Sequence, residues 1–118
     1  MTEQHTTKIR ELNDLARKQI MVINWGRSVP CNVCHTQGIE AFSADDRYKV
    51  YLAVRDFNDF TEDNDPHQEH DFGAFDFNGR KIFWKFDYYA HDMEHGSEDP
   101  ADIGQTMRVL TIMLAEEY

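Results

Sequence analysis

Residues 71–89 have the sequence DFGAFDFNGRKIFWKFDYY, and this stretch decides which fold the chain can adopt. Asn78-Gly79 separates two segments of strand-like alternation, and this dipeptide supplies the positive φ angles of a type I′ turn. The sequence therefore predicts a β-hairpin of residues 71–77 and 80–89. Because alternate side chains of a strand share a face, the predicted core face of the second strand carries Ile82, Trp84, Phe86 and Tyr88.

Two helical patterns precede this hairpin. Apolar residues recur at helical spacing across residues 7–20, which predicts an amphipathic helix. Ser43 begins a second helix, and Asp46 follows three residues later in an approximate capping box. Tyr48, Tyr51, Leu52 and Arg55 share one face of this predicted helix, and Val50, Val54 and Phe57 widen that face.

Between the two helices, Gly26 and Pro30 break the chain, and residues 31–35 are expected to form a short strand. After the hairpin, Ser97 or Asp99 is predicted to cap a final helix that has Pro100 in its first turn. The apolar stripe of that final helix comprises Ile103, Met107, Leu110 and Leu114.

This order of elements predicts an α+β fold. A small antiparallel sheet, built around the central Asn-Gly hairpin, packs against about three helices. The length of 118 residues fits one domain, residues 1–118, and neither repeats nor a linker interrupt it.

The formal net charge of −10 restricts the partners that the chain can bind. Contacts to phosphates need Lys or Arg, so this charge argues against direct binding to nucleic acid or to anionic membranes. A carboxylate-rich surface instead suits a basic protein surface, including a groove that normally holds nucleic acid. The simpler alternative is that the charge only keeps the protein in solution.

The N-terminal sequence MTEQHTTKIR lacks the apolar segment of a signal peptide. No apolar run approaches the roughly 20 residues that cross a bilayer. We therefore expect a cytoplasmic protein whose two cysteines stay reduced.

Residues 31–35, CNVCH, have the spacing of the CxxCH motif that attaches c-type haem covalently. Such attachment normally needs an exported chain, and no export signal is present. Cys31 and Cys34 also have the spacing of half a zinc site, but no second ligand pair follows at the usual distance. No cofactor is therefore expected, and free cysteines on a short strand are the favoured interpretation.

Residues 64–73, NDPHQEHDFG, place His67, Glu69, His70 and Asp71 within five positions. Imidazole and carboxylate groups serve as metal ligands and as proton carriers. On an extended strand His70 points away from Glu69 and Asp71, so a shared metal would require a bent loop. The alternative is a hydrogen-bonded turn, in which Asn and Asp side chains accept from backbone donors.

His91 and His95 have an i, i+4 spacing that suits zinc on a helix. The match to the HExxH motif of metalloproteases is poor, because Asp92 stands in the place of the catalytic glutamate and the segment is short. His67 and His70 lie near the start of the hairpin, and His91 and His95 follow its end. Hairpin geometry allows these four histidines to converge on zinc or another divalent metal.

Three motifs resemble those of a small uncharacterised bacterial family, a domain of unknown function found mainly in alphaproteobacteria and often on plasmids and prophages. In this chain they are NDPHQEHDFG at residues 64–73, IFWKFDYY at residues 82–89 and TMRVLTIMLAEEY at residues 106–118. The resemblance extends over most of the chain but brings no established activity. The chain departs from the family pattern at Ala90, where the family has aspartate, and in its CxxCH motif.

The resemblance implies that a set of polar positions does more than pack. The set comprises Asn64, Asp65, His67, Glu69, His70, Asp71, Lys85 and Asp87. So many polar residues suit either a functional site or a buried polar network. His91 and His95 fall outside the family pattern, so a four-histidine site would be particular to this protein.

Two hypotheses for the function follow. In the first, the protein is a small acidic inhibitor from mobile elements that blocks a host defence nuclease, of the antirestriction or anti-CRISPR type. In the second, it is a metal-dependent hydrolase that uses His67, Glu69, His70 and Asp71. The net charge and the lack of a recognisable catalytic motif favour the first hypothesis, and with it a protein that is not an enzyme.

Overall fold

The computed structural model describes residues 3–22 and 28–118, and this part of the chain forms three α-helices and four strands. The helices are α1 (Glu3–Lys18), α2 (Gln37–Glu40) and α3 (Ala44–Asp56). The strands are β1 (Cys31–His35), β2 (Phe72–Phe77), β3 (Arg80–Tyr89) and β4 (Met107–Leu114). A short 3-10 helix, Ala115–Glu117, follows β4.

The four strands form one mixed sheet in the order β1-β4-β3-β2. Strand β3 is antiparallel to both of its neighbours, whereas β1 runs parallel to β4. Asn78 and Gly79 connect β2 to β3 with φ angles of 50° and 79°, as a type I′ turn requires. The predicted α+β fold and its central hairpin are therefore confirmed, and the parallel pair at β1 makes the sheet mixed.

The core lies between the helices and one face of the sheet. Ile82 and Trp84 of β3 are fully buried and Phe86 nearly so, while Tyr88 packs against this cluster half-buried. The predicted core face of the second hairpin strand is thus confirmed. The helices and β4 complete the core with Leu12, Ala16, Val50, Val54, Leu110, Ile112 and Leu114. We call the opposite face of the sheet the outer face; it carries Phe72, Phe83, Lys85, Asp87, Val109 and Thr111.

Residues 107–114 form β4, so the predicted C-terminal helix is wrong. Arg108 and Leu110 are buried while Val109 between them is only half-buried, which is the alternation of a strand. The run MRVLTIML satisfies helical and strand spacing at once, as continuous apolar runs often do. Its position between β1 and β3 settles the choice, because both neighbours pair with its backbone.

The predicted face of α3 is confirmed at Val50 and Val54 and is wrong at Tyr48. Val50 and Val54 are completely buried, whereas Tyr48 is 53 % exposed. Tyr48 keeps its polar end in water, whereas Tyr51 packs against the core and its hydroxyl lies 2.6 Å from His35 Nδ1. The predicted cap is confirmed, because the Ser43 hydroxyl accepts from the backbone N–H of Asp46 at 3.1 Å.

The break predicted at Gly26 lies outside the described residues. The helices within residues 3–22 and 28–118 are all too short or too polar to traverse a bilayer.

Candidate functional site

Two long loops lie at the same end of the sheet. Residues 57–71 lead into β2, and residues 90–106 connect β3 to β4. Because β2 and β3 are antiparallel, the start of β2 lies towards the end of β3, and Phe72 pairs with Lys85. The start of β4 lies beside that same end of β3. We call the surface formed by residues 57–71 and 90–106 the acidic end.

All of the net negative charge of the sequence resides in the acidic end. Its two loops contain eleven of the 22 Asp and Glu residues and none of the 12 Lys and Arg residues. The remainder of the chain has eleven acidic against 12 basic residues and is therefore nearly neutral. Such a concentration of one charge produces a local field that attracts a basic surface. Its exposed carboxylates include Asp59, Glu62, Asp63, Glu94 and Glu98.

Asn13, a buried residue of α1, connects the helix to the sheet and to both loops. Its Nδ2 donates to the Glu69 carbonyl at 3.0 Å and to the Tyr88 hydroxyl at 2.8 Å. Its Oδ1 accepts from Arg108 Nε at 2.7 Å. Arg108 in turn donates from Nη2 to the Pro100 carbonyl at 2.6 Å, in the other loop. This network holds both loops of the acidic end in place.

Arg108 is a fully buried cation beneath the acidic end. Its guanidinium lies 5.1 Å from the centroid of the Tyr88 ring, and its Nη1 has no hydrogen-bond partner among the described residues. Burial lowers the pKa of Arg108 and raises the pKa of Tyr88, because loss of water disfavours the charged form of each. A guanidinium stays protonated nonetheless, so a positive charge remains under the carboxylate-rich loops.

His70 lies between two carboxylates. Its Nδ1 is 2.8 Å from Asp14 Oδ1, and its Nε2 is 3.5 Å from Oδ2 of the buried Asp65. Its ring stacks on Phe60 with the centroids 3.7 Å apart. Gln68 and His70 have φ angles of 57° and 54°, a region that non-glycine residues seldom occupy. The contacts of His70 thus hold the loop in a shape that its backbone alone disfavours.

Arg17 joins α1 to the end of α3, where residues 57–71 begin. Its Nη1 donates to the carbonyls of Val54 and Phe57, at 2.9 and 2.8 Å. Its Nη2 donates to Asp14 Oδ1 at 3.1 Å, the same oxygen that contacts His70. Both ends of the 57–71 loop are therefore attached to α1.

Glu69 and Asp71 are half-buried acids of the acidic end. Burial, followed by the neighbouring Asp71 carboxylate, raises the pKa of Glu69 above its ordinary 4.5. Burial likewise raises the pKa of Asp71 above its ordinary 3.8. The folded state therefore holds its protons on these groups more tightly than the unfolded chain does, so stability falls as pH rises through this range.

We expect Glu69→Gln and Asp71→Asn each to stabilise the protein at pH 7, because each removes a charge that burial disfavours. The gain in stability should vanish at pH values below the ordinary pKa values of the two groups, 4.5 for Glu69 and 3.8 for Asp71. There the wild-type carboxyl groups are protonated in both the folded and the unfolded state. Thermal unfolding at neutral and acid pH measures this. Glu62→Gln, at an exposed position of the same loop, serves as the control. A gain of equal size at acid pH would contradict the prediction.

The polar residues that the resemblance implied lie in different parts of the structure. Asn64 organises a turn, because its Oδ1 accepts from the backbone N–H of Thr61 at 2.8 Å. The side chain of His67 is exposed. Lys85 and Asp87 lie on the outer face, where they form an ion pair at 2.8 Å. They are on the opposite side of the sheet from the network of Asn13 and Arg108. Only part of the predicted set, including Asp65 and His70, forms one cluster.

The histidines do not converge within the described part of the chain. His91 Nε2 is 2.9 Å from the Gly104 carbonyl, and His95 Nδ1 is 2.7 Å from Asp92 Oδ2. Within residues 3–22 and 28–118, three or more ligand atoms come within 4.8 Å of one another only at Asp92, Glu94 and His95, all exposed. The four residues of the hydrolase hypothesis do not form such a group.

The two cysteines of the CxxC motif, Cys31 and Cys34, do not form a common site. Cys31 is buried on the core side of β1, whereas Cys34 is exposed and lies 3.5 Å from the Thr111 hydroxyl on the outer face. Residues three apart on a strand point to opposite faces. The two thiols form no disulfide within the described residues, and they do not meet on one ligand.

Several residues of the network were not predicted, notably Asn13, Asp14, Arg17, Tyr88 and Arg108 as polar partners. A signal for two of them is present in the sequence. Asn13 and Arg17 are four residues apart, on the side of α1 that buries Ile9 and Ala16. A polar pair on a buried helix face requires partners elsewhere in the fold.

A search of the curated proteins and a search of the solved structures found no match to this chain. A family model, described as protein of unknown function (DUF3768), matches residues 35–117. The match includes α2, α3 and strands β2 to β4, together with the whole acidic end. It extends over well more than half of the sequence, and the chain therefore belongs to the DUF3768 family of proteins of unknown function.

Proposed function

We propose that this chain is a small acidic binding protein of the cytoplasm whose acidic end docks on a basic surface of another protein. The observation that carries this proposal is the location of the charge. Residues 57–71 and 90–106 hold eleven carboxylates without a single Lys or Arg, and the rest of the chain is nearly neutral. If the charge served only to keep the protein in solution, it would have no need to gather on one surface.

The partner that best suits this surface is a nuclease of a host defence system, of the restriction or CRISPR type. The groove of such an enzyme is lined by Lys and Arg that normally neutralise phosphates. Carboxylates on a fixed scaffold take the place of those phosphates and obstruct the substrate. The resemblance to a family carried on plasmids and prophages agrees with this role, since mobile elements gain from blocking such enzymes.

The buried network supports the proposal because it prepares the loops for binding. Asn13 and Arg108 attach both loops to the core, and His70 attaches the 57–71 loop to Asp14. Loops that are already ordered lose less conformational entropy when a partner binds. Electrostatic attraction then mainly accelerates association, and salt weakens it.

The test compares two variants that have the same net charge. The loop variant neutralises five exposed carboxylates of the acidic end: Asp59→Asn, Glu62→Gln, Asp63→Asn, Glu94→Gln and Glu98→Gln. The control variant neutralises five exposed carboxylates elsewhere: Glu3→Gln, Glu11→Gln, Asp45→Asn, Asp76→Asn and Glu116→Gln. Inhibition of DNA cleavage is measured with a purified restriction enzyme and with an RNA-guided nuclease, at about 50 and about 300 mM salt.

We expect the wild-type protein and the control variant to inhibit at the lower salt concentration. The loop variant should inhibit at least about tenfold less strongly, which corresponds to about 1.4 kcal/mol. If the two variants lost inhibition equally, net charge and not the acidic end would be responsible. If wild-type protein bound neither enzyme at low salt, the nuclease would be the wrong class of partner.

A further inference from the structure

Strand β2 is the last strand of the sheet, so in the described part of the chain no strand pairs with one side of its backbone. The backbone carbonyl of Asp71 accepts a hydrogen bond from the backbone N–H of Phe86 at 2.9 Å. Every second residue of β2, counted from Asp71, therefore has its backbone groups directed towards β3. The backbone groups of Phe72, Ala74 and Asp76 consequently point away from the sheet. Within the described residues, these groups make no hydrogen bond.

Within residues 3–22 and 28–118, this edge lacks the features that usually prevent strands of different molecules from pairing. Proteins protect an edge with lysine, proline, a bulge or a covering segment. The sequence of β2, FGAFDF, contains neither lysine nor proline, and every residue pairs in regular register with β3. Its single charge, Asp76, is 3.7 Å from Lys81 on the neighbouring strand. An open, regular and mostly apolar edge of this kind is suited to binding another strand.

We propose that β2 pairs antiparallel with β2 of a second copy of this chain, so that two sheets join into one. A two-fold axis at Ala74 places Ala74 opposite its own equivalent and Phe72 opposite Asp76 of the second copy. In this register each outward-pointing N–H of Phe72, Ala74 and Asp76 lies opposite an outward-pointing C=O of the second copy, so the two strands form backbone hydrogen bonds. It also keeps the core face and the outer face continuous, because the paired residues lie on the same face. The strand is therefore complementary to itself, as a two-fold interface requires.

Charge complementarity selects a second copy over an unrelated strand. The hairpin tip that follows β2 carries the exposed Arg80 and Lys81. The loop that precedes β2, residues 57–71, carries six carboxylates and no Lys or Arg. An antiparallel arrangement places the basic tip of each copy beside the acidic loop of the other, so the favourable contact occurs twice. This inference does not depend on the proposed function.

Sedimentation velocity over a range of concentrations tests the pairing. Wild-type protein should sediment as a particle of twice 13.9 kDa when concentrated and dissociate on dilution. Ala74→Pro removes an outward N–H that an edge strand does not need, and Ala74→Lys places like charges at the two-fold axis. Each should weaken dimerisation at least about tenfold while the far-ultraviolet circular dichroism stays unchanged. Because the two substitutions at Ala74 are chemically different, weaker dimerisation in both would not be explained by one variant that fails to fold.

Controls separate the edge from other surfaces. Thr111→Lys adds the same charge on the outer face of the central strand β4, and it should leave the dimer intact. The double variant Arg80→Glu/Lys81→Glu should weaken the dimer by removing the charge contacts. The amide protons of Phe72, Ala74 and Asp76 should exchange more slowly as concentration rises, whereas those of Gly73 and Phe75, which bond to β3, should not change. A protein that stays monomeric, or a dimer broken by Thr111→Lys and not by the Ala74 variants, would overturn the proposal.

Discussion

Replacement of Asn13 by alanine is expected to lower the free energy of unfolding by about 3 kcal/mol or more. The Asn13 amide makes hydrogen bonds to Glu69, Tyr88 and Arg108, at distances of 2.7 to 3.0 Å. All three groups would remain buried or half-buried without this partner. The guanidinium of Arg108 dominates the cost, because it is completely buried and already has one unpaired nitrogen among the described residues.

Urea unfolding followed by tryptophan fluorescence measures this loss, and Asn32→Ala is the matched control. Asn32 is an exposed asparagine on β1, so its removal should change stability by no more than about 0.5 kcal/mol. Asn13→Asp should cost less than Asn13→Ala, because a carboxylate still accepts from Arg108 and supplies an opposite charge. A loss below about 1 kcal/mol for Asn13→Ala would show that the network contributes little to stability.

Gly73→Ala is the second substitution with a large expected effect, a loss of about 1–3 kcal/mol. A Cβ at this position would lie 2.5 Å from Cε2 and 2.6 Å from Cζ2 of the Trp84 indole. Trp84 is completely buried and packs against the rings of Phe57 and Phe60, so any movement of the indole disturbs these contacts. The strand position of Gly73 thus reflects the close approach of a large ring.

The matched control for Gly73→Ala is Gly96→Ala. The nearest atom to a Cβ at Gly96 is the Tyr88 carbonyl oxygen at 3.8 Å, an ordinary contact, and we expect a change within about 0.5 kcal/mol. A double-mutant cycle tests the cause, because Gly73→Ala should cost less in a Trp84→Phe background. Equal costs in the two backgrounds would mean that the clash with the indole is not the reason.

Both substitutions probe how the acidic end is supported. Asn13 holds the loops from α1, and Gly73 lets Trp84 fill the space beneath the first residues of β2. If either variant also lost binding to a basic partner while still folded, the order of the loops would matter for function beyond their charge. This separates a contribution of shape from the contribution of the carboxylates.

The comparison of β3 with β4 shows how far local sequence determines secondary structure. For β3, the turn residues Asn78 and Gly79 and the strict alternation after them specify a hairpin without help from distant residues. For β4, the run MRVLTIML suits either a helix or a strand, and its neighbours β1 and β3 decide. Those partners come from elsewhere in the chain, so no local rule contains the answer.

For the candidate site too, the sequence determined some features and the tertiary structure decided the others. Sequence by itself determined that the net charge is negative and that two segments lack Lys and Arg, because composition is independent of folding. Only the tertiary structure decided that these segments share one end of the sheet, and that Asn13 meets Arg108 across 95 positions of the chain. Such contacts depend on strand order and on helix placement, which arise from burial of the whole core and not from any single motif.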